Sequence, residues 1–289
     1  MSTLPAKLSY LHSCLWRSLQ PNTKRCPSCG FSHSHFIAQK YFVSTLRRCD
    51  RCKLQFRCPI DLPEQVYDFY ENNYTSGFTT DLPTSEQLSK YLSTGFADTP
   101  KDFRRFLSLF KSLAVPSGSR ILDLGCSWGY GAWQFQNAGY EVTGYEVSKH
   151  RALFAQEKLM LDASSSLDDI SGLFDVIFSS HVLEHVPSLE FLLKWCFNHL
   201  AKNGLFVAIT PNGSVPFRQS HPRNWKNMWG DVHPLFLDSE FWQSRLVNMS
   251  YLITSDLSDS SLIQKWAFAP DQLVGSVDGW ELLVVAKAS

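Results

Sequence analysis

Long apolar runs are missing from this sequence of 289 residues, although 44% of its residues are hydrophobic. No stretch approaches the roughly twenty apolar residues that cross a bilayer, so no membrane span is predicted. The first twenty residues, MSTLPAKLSYLHSCLWRSLQ, lack the basic start, sustained apolar run and small-residue cleavage site of a signal peptide. We therefore interpret them as an amphipathic helix packed on the main body, and we expect a cytoplasmic protein.

Acidic residues are scarce at the amino-terminal end of the chain. Residues 1–60 contain ten lysines and arginines but a single acid, Asp50, which gives a local charge of +9. The whole chain is neutral, so the remaining residues carry a charge of −9. This asymmetry predicts two modules with different surfaces.

Cysteines, in turn, are scarce outside the same basic segment. Six of the eight lie in the first sixty residues. Four of these six form two Cys-x-x-Cys pairs that are nineteen residues apart: Cys26, Cys29, Cys49 and Cys52. The spacing is typical of a zinc ribbon, in which two tight turns present four thiolates to one metal ion. Because four thiolates leave no open coordination position, we expect the Zn²⁺ to be structural.

A basic zinc ribbon has two interpretations. Its charge could meet nucleic-acid phosphates, or it could dock on the acidic remainder of the chain. The segment shows no clear platform of aromatic residues on which bases could stack. Docking is therefore favoured, and a nucleic-acid partner is not expected.

The remainder of the chain changes pattern. Helical spacing of apolar residues begins near residue 64, and apolar strands alternate with amphipathic helices after 116–119. This alternation predicts an α/β fold with a parallel sheet covered on both faces. The last two apolar segments, YLITSDLS and WELLVVAKA, show no clear helix between them and are predicted to pair antiparallel. The predicted organisation is a zinc-ribbon-like module (1–60), a helical linker or cap (61–115) and an α/β domain (116–289).

The first strand of this domain runs into a glycine-rich turn, ILDLGCSWGYGAW. It fails the dinucleotide fingerprint, because a serine and a tyrosine occupy two of the three glycine positions, and it lacks the glycine–lysine pair of a P-loop. It reads Asp123-x-Gly125-x-x-x-Gly129, where the backbone can approach a ligand without phosphates and an acid can receive a cation. The next strand ends in Glu146, which is placed to accept hydrogen bonds from a ribose diol. A nucleoside that carries an amino-acid moiety fits both features.

Four motifs in order resemble those of the class I SAM-dependent methyltransferases: ILDLGCSWG, YEV, FDVIFSSHVLEHV and LAKNGLFVAITPNG. The resemblance implies a Rossmann-like sheet of parallel strands with an antiparallel C-terminal pair, and S-adenosylmethionine (SAM) as cofactor. Around the methionine part it places Asp123, Gly125, Cys126, Ser127 and Gly129, with Ser127 standing where the family commonly has glycine. The other cofactor-binding candidates that it implies are Glu146 for the ribose, Val147 and Asp162 for the adenine, and Ser180 after the fourth strand.

The chemistry is expected beyond the carboxyl ends of the strands, where open α/β sheets bind their ligands. If the acceptor is a hydroxyl, a general base helps, and His181 and His233 are the candidates. The segment 212–236 is too long for a plain connection and is interpreted as an acceptor-binding lid. Tyr70 and Tyr74 either close the site from the opposite side or belong to the core.

The sequence His181-x-x-Glu184-His185 has a second interpretation. It resembles the E-x-x-E-H metal-binding set of the ubiquinone-type O-methyltransferases, with histidine in place of the first glutamate. A divalent ion would there orient the acceptor oxygen. The favoured alternative is that Glu184 and His185 start and brace the following helix.

The leading functional hypothesis is methylation of a small polar metabolite. The Cys-x-x-Cys pairs followed by FYENNY resemble a bacterial subgroup whose members include enzymes that methylate sugars, so a sugar hydroxyl is one expected acceptor. O-methylation is favoured over C- or N-methylation. The lid aromatics Phe217, Trp225 and Trp229 would stack on a ring or merely pin the loop.

Two other functions compete with it. One is a nucleic-acid methyltransferase gripping its substrate with the ribbon, although no [DN]PP[YW] motif follows the fourth strand. The other is a non-catalytic adaptor, against which the intact set of Asp123, Gly125, Gly129 and Glu146 argues. The oligomeric state is not predicted.

Overall fold

The computed structural model describes residues 12, 14–20, 23–61, 81–230 and 233–287. Tyr70, Tyr74 and the helix expected from about residue 64 lie outside the described residues. A four-stranded sheet and an eight-stranded sheet organise the described part. None of the helices in that part is long and apolar enough to cross a membrane.

The small sheet forms the ribbon. Its first three strands, which are antiparallel, are Ser34–Lys40 (β1), Ser44–Cys49 (β2) and Gln55–Cys58 (β3). Along β2 buried and half-buried side chains alternate, as in a strand with one face on a core. The four cysteines come together as the spacing predicted, and their Sγ atoms all lie within 4.8 Å of one another.

The large sheet contains most of the remaining strands. Following the chain, they are Arg120–Leu124 (β4), Glu141–Tyr145 (β5), Asp162–Ser164 (β6), Phe174–Ser180 (β7), Leu200–Pro211 (β8), Leu235–Phe236 (β9, in the small sheet), Ser250–Thr254 (β10), Gln272–Val274 (β11) and Glu281–Lys287 (β12). The order across the sheet is β11-β10-β12-β8-β7-β4-β5-β6. Strands β4 to β8 are parallel to one another, while β12 runs antiparallel to both β8 and β10. This confirms the predicted α/β sheet and its antiparallel C-terminal pair.

Helices cover both faces of the large sheet. They are Ser85–Thr94 (α1), Arg104–Ser112 (α2), Tyr130–Asn137 (α3), Lys149–Leu159 (α4), Leu189–Asn198 (α5), Val215–Ser220 (α6), Pro222–Met228 (α7), Ser239–Arg245 (α8) and Ser260–Phe268 (α9). The expectation of no clear helix between the last two apolar segments was wrong, because α9 lies there. Asp259 caps its first turn by accepting from the Leu262 N–H at 3.0 Å, and Ile263 and Trp266 bury one face.

One face of the large sheet is packed with aromatic rings. The Phe103 ring packs edge-on against Phe135 of α3, and the Phe110 ring stacks on it. All three rings contact Phe178 of β7. Each fully buried ring contributes roughly 1.5–3 kcal/mol through burial of apolar area. Helix α2, predicted to be part of a linker or cap, is therefore an integral layer of this core.

The ribbon docks on the acidic body, as its charge favoured. Strand β3 pairs with β9, and Arg48 donates to the buried carboxylate of Asp238 at 2.7 Å. Leu54 and Phe56 continue the core under the other face of the large sheet. Strand β9 comes from the body and completes the sheet of the ribbon, so a strand pair joins the ribbon to the body. The predicted domain boundary at residue 60 stays a prediction.

Candidate cofactor and acceptor site

A cavity of about 770 Å³ opens at the carboxyl ends of β4, β5 and β7, where the sequence placed the site. The previously predicted residues that line it are Asp123, Gly125, Cys126, Ser127, Glu146, Val147, Ser180, His181, His185 and His233. Its volume lies in the upper part of the ~300–1,000 Å³ range of ligand sites. The structure therefore brings the two predicted groups, cofactor and acceptor, to one cavity.

The glycine-rich turn uses its glycines for different purposes. Gly125 has φ +83, and a Cβ there would lie 2.2 Å from Val182 Cγ2, so the turn admits no side chain beside the cavity. Gly129 has φ +90 and starts α3, and its Cβ would lie 2.6 Å from Leu161 Cδ1. Gly129, which does not line the cavity, is thus explained by packing, whereas Gly125 lies at the cavity surface.

Asp123 ends in the floor of the cavity with an unusual carboxylate. The residue is 3% exposed, and its Oδ2 has no hydrogen-bond partner in the part of the chain that the structure describes. Burial, and then the nearby charge of Glu146, raise the pKa of Asp123 to about 7, while the Ala132 N–H opposes them. A cationic ligand group would compensate this buried charge.

Glu146 is held by the turn. Its Oε2 accepts from the Ser127 N–H and its Oε1 from the Ser148 N–H, both at 3.0 Å, which fixes the carboxylate at the cavity wall. Arg151 Nη1 lies 3.9 Å from Oε1, so the carboxylate also has a cation nearby. Ser127 adopts φ +53, a conformation that favours glycine, and its buried Oγ has no partner among the described residues.

Asp162 does not occupy the predicted position. It begins β6 instead of ending it, and its carboxylate accepts from Thr143 Oγ1 at 2.8 Å. The carboxyl end of β6 is Ser164, so Asp162 lies at the opposite end of the strand from the cavity and does not line it. The prediction that Asp162 ends the third strand was wrong, because a three-residue strand gives too little pattern to fix its ends. A role for Asp162 beside the adenine stays a prediction.

The acceptor end of the cavity gathers a buried acid and two histidines. Glu184 is fully buried, and the structure places one ligand atom each of Glu184, His185 and His233 within 4.8 Å of one another. Burial acts to raise the pKa of Glu184, but the neighbouring histidines outweigh it and keep that pKa below its ordinary value. Glu184 therefore faces the histidines as a carboxylate, and the helix-bracing role favoured from the sequence does not describe its contacts.

His233 presents one nitrogen to this cluster. Its Nδ1 contacts the Met228 carbonyl oxygen, which can only accept, so Nδ1 carries the proton in the neutral ring. Nε2 is then the nitrogen with a free lone pair. The His233 ring packs against the His185 ring with 4.8 Å between centroids. The predicted base thus has a defined tautomer and a defined neighbour.

His181 has a different environment from the one a general base needs. Its Nε2 lies 2.8 Å from Glu281 Oε1, and its Nδ1 lies 3.3 Å from Glu184 Oε1. Burial acts to lower the pKa of His181, but the two carboxylates outweigh it and raise that pKa to about 10. The ring is therefore protonated at neutral pH and has no lone pair with which to accept a proton.

Sequence reasoning missed Glu281 and Arg105. Arg105 of α2 lines the cavity and donates to both oxygens of Glu281, at 2.7 and 3.1 Å. The signal for Glu281 was topological, because an antiparallel strand begins where its parallel neighbours end, and Glu281 pairs with Pro211 at the end of β8. No local pattern marks Arg105.

Replacing Glu281 by glutamine should lower the free energy of unfolding by about 1 kcal/mol near pH 7, a value discounted for the 39% exposure of the His181 side chain. The raised pKa of His181 contributes stability below its ordinary 6.5, which is lost as pH rises through about 10. Glu281 has its pKa lowered to about 2 by His181 and Arg105 despite burial, so its contribution holds above 4.5 and is lost as pH falls through about 2. Urea unfolding of Glu281→Gln should thus show a deficit between about pH 5 and 9 that shrinks on either side. Glu141→Gln, at the exposed edge of β5, is the matched control, and an equal deficit there would refute the assignment.

In its described residues, 212–230 and 233–236, the predicted lid is a connection with regular secondary structure instead of a plain loop. It contains α6, α7 and β9, and the aromatic side chains of Phe217, Trp225 and Trp229 are at most 3% exposed. They pack on the ribbon and do not line the cavity. Of the two roles predicted for them, pinning the segment is the one that the contacts support.

The sheet order, with its cavity at the carboxyl edge of the parallel strands, defines a Rossmann-like methyltransferase fold. Residues 97–248 match a family described as a methyltransferase domain, which is more than half of the chain. The chain therefore belongs to this methyltransferase-domain family.

Relatives with curated names match a shorter region. The ubiquinone biosynthesis O-methyltransferase of Bradyrhizobium diazoefficiens is 31% identical over 134 residues, covering 43% of this chain and 48% of that protein. The corresponding protein of Rhodopseudomonas palustris strain HaA2 is 30% identical with the same coverage. The chain thus spans about half the length of the curated relatives it matches.

Among solved structures, the plantazolicin methyltransferase BamL, in complex with a triazolic desmethylPZN analog and SAH, is similar with a TM-score of 0.50. The identity is 14%, and the match covers 78% of this chain and 94% of that one. At this identity the likeness supports the fold alone.

Proposed function

We propose that this chain is a SAM-dependent methyltransferase that transfers a methyl group to a hydroxyl of a small molecule. The observation that carries the proposal is the meeting of two groups in one cavity. A buried acidic pair, Asp123 and Glu146, lies at one end, and a carboxylate–histidine cluster lies at the other. Family membership and the O-methyltransferase names of the curated relatives support the same reaction class.

The cofactor end fits the chemical groups of SAM. Asp123 supplies an uncompensated buried carboxylate for the ammonium group, and Glu146 supplies two fixed acceptor oxygens for the ribose diol. Val147 and Leu167 line the same wall and give the adenine an apolar contact. When bound, SAM would supply a methyl group on a positively charged sulfur, and that sulfur leaves as a neutral thioether when an acceptor oxygen takes the methyl group.

The acceptor end supplies the proton acceptor. Nε2 of His233 takes the proton that the acceptor hydroxyl releases, because its lone pair is free while Nδ1 is held by Met228. The buried carboxylate of Glu184 then stabilises the positive charge on the ring. His181 remains protonated and orients both Glu281 and Glu184, and Arg105 orients Glu281.

The acceptor is a small molecule in this proposal. Apart from its ionisable groups, the cavity beyond the glycine-rich turn is walled by apolar side chains, among them Phe103, Phe106, Val186 and Phe191. The arginines Arg48 and Arg57 of the ribbon are buried in contacts within the chain, so they are not offered to nucleic-acid phosphates. A hydroxyl on an apolar or aromatic body fits this wall better than a sugar, whose expected stacking residues are buried elsewhere.

A second candidate mechanism uses a divalent cation at the same place. The specific observation in its favour is that Glu184, His185 and His233 each offer one ligand atom within 4.8 Å of the others, with the Glu184 carboxylate fully buried. Two imidazoles and a carboxylate form a donor set suited to a transition-metal ion. The cation would hold the acceptor oxygen there, and His233 would be its ligand instead of a base.

The four cysteines of the ribbon are proposed to bind structural zinc. The Sγ atoms of Cys26 and Cys52, and those of Cys29 and Cys49, are 3.5 Å apart. Thiolates bound 2.3 Å from a tetrahedral zinc lie about 3.8 Å apart, so the cluster fits. Purified protein should contain one tightly held zinc per chain by mass spectrometry, and Cys49→Ser should lose it. Cys58→Ser, at a buried thiol outside the cluster, should keep it, and equal zinc in all three proteins would refute the site.

The experiment that tests the function is transfer of label from methyl-labelled SAM. Purified protein is incubated with extract, and label is counted separately in small molecules, nucleic acid and protein. The proposal expects label in the small-molecule fraction as an alkali-stable methyl ether, and its loss in Asp123→Asn. Label confined to nucleic acid or protein, or SAM binding without transfer to any of the three, would overturn it. Repeating the assay after chelation, with Mg²⁺ or Mn²⁺ restored, separates the two mechanisms, because only the second requires the ion.

A further inference from the structure

The ribbon touches the acceptor end of the cavity through a short stretch of backbone. We propose that the zinc ribbon is the positioning element of His233: it holds the backbone at 229–230 and 234–236 and so sets where the imidazole lies in the cavity. The structural part of this inference is independent of the chemistry. Its kinetic part rests on the proposed function of His233.

Backbone contacts to the ribbon flank His233 on both sides. After it, Pro234 O accepts from the Arg57 N–H at 2.7 Å, and Leu235 and Phe236 pair with β3. Before it, Gly230 O accepts from Arg57 Nη1 at 3.3 Å, and the Trp229 carbonyl accepts from Lys40 Nζ. The main chain around His233 is therefore bonded to β1 and β3 of the ribbon.

An apolar core reinforces these bonds. Leu46 of β2 is fully buried against Phe217, Trp225, Trp229 and Phe236, with partly buried ribbon side chains at its margin. The ammonium of Lys40 also lies 4.7 Å from the centre of the Trp229 ring. Without the ribbon these indoles would face water, so the segment has no comparable apolar support of its own.

On their other side, residues 233–236 contact Glu184 and His185 at the acceptor end of the cavity. The Leu235 N–H donates to the Glu184 carbonyl oxygen at 3.1 Å, and the His233 ring packs on His185. Residues 233–236 are thus one layer between β3 and the acceptor wall. Strand β9 is two residues long, and within the described residues β3 is its partner in the sheet. A displacement of β3 therefore moves His233 relative to Glu184.

The test compares two lysines of the ribbon. Lys40→Met removes the bond to Trp229 and the contact with its ring, and Lys40→Arg restores a cation of similar reach. Lys53→Met is the matched control, because Lys53 bonds the ribbon's own Asp50 carbonyl on an exposed surface. Cys29→Ser, which weakens the zinc cluster, is the stronger perturbation.

For Lys40→Met we expect faster hydrogen exchange at the Leu235 and Gly230 amides, by tenfold or more. Methyl transfer should show a kcat about tenfold lower with unchanged SAM affinity and unchanged zinc content. Lys40→Arg should recover most of both effects, Lys53→Met should show neither, and Cys29→Ser should exceed Lys40→Met in exchange at the same amides.

Unchanged exchange at Leu235 and Gly230 in both Lys40→Met and Cys29→Ser would overturn the proposal. So would a loss of SAM affinity that parallels the loss of kcat, since that pattern indicates general unfolding instead of local positioning. If wild-type protein methylates nothing, the proposed function fails while the exchange data still decide this inference.

Discussion

Asp123→Asn should abolish measurable SAM binding at micromolar concentrations, a loss of at least about 100-fold, and yet make the ligand-free protein more stable. The pKa of Asp123 is raised from 3.8 to about 7 by burial and by Glu146, so the native state holds the protonated form more tightly than the unfolded chain does. The cost of ionising it grows as pH rises from about 4 to about 7 and is complete above. Removing the charge at pH 8 should therefore stabilise the free protein by up to about 4 kcal/mol. Calorimetric titration with SAM and thermal unfolding of the same samples measure the two effects.

The pH dependence of binding gives a second readout for the same carboxylate. Wild-type affinity should fall as pH drops below about 7, approaching tenfold per pH unit, because the ammonium group loses its counter-charge. Asp175→Asn is the matched control, since that carboxylate caps the Arg120 N–H at the amino end of the sheet. Unchanged SAM affinity in Asp123→Asn would contradict the assignment of Asp123 to the cofactor site. A less stable free protein would contradict the predicted cost of its buried charge.

His233→Ala should lower kcat by about 100-fold or more while the dissociation constant for SAM stays within about threefold of wild type. The imidazole lies at the acceptor end, away from Asp123 and Glu146, so its loss removes the proton acceptor without touching the cofactor contacts. Single-turnover rates with saturating SAM measure the chemical step directly.

His221→Ala is the control for this variant. His221 belongs to the same connection but stacks on Phe217 at 5.3 Å and does not line the cavity, so its activity should stay within twofold of wild type. A His233→Ala protein that keeps half of the wild-type rate would assign the proton acceptor to another group. Restoration of the His233→Ala rate by millimolar Mn²⁺ would instead favour the metal-assisted mechanism.

The cofactor end was largely predictable from the sequence, because its residues are local to strand ends. Asp123 is the fourth residue of β4, Gly125 and Glu146 directly follow β4 and β5, and parallel strands bring their carboxyl ends to one edge. The position of Asp162 in its strand was predicted wrongly, since β6 is only three residues long and its sequence offers little pattern from which to fix its ends. The site residues themselves remain proposals for the binding experiments to decide.

The acceptor end was harder because its groups come together only through tertiary contacts. His233 reaches His185 from a connection whose path depends on the ribbon, and Glu281 reaches His181 from the last strand. The protonated state of His181 depends on Glu184, three residues along the chain, together with Glu281 from the last strand. Helix α9, by contrast, carried a readable signal in Asp259 and the spacing of Ile263 and Trp266.

The strand that completes the ribbon sheet has a consequence for the order of folding. Strand β3 ends at Cys58, whereas its partner β9 begins at Leu235, so roughly 180 residues of chain must be made before the pair can close. During synthesis the ribbon emerges first, with the edge of β3 and the apolar side chain of Leu46 still uncovered. If the four cysteines bind zinc as proposed, the metal would hold the nascent ribbon in shape until the body is made. The ribbon would then fold before the body. The connection that carries β9 would pack on the ribbon last, when β9 pairs with β3.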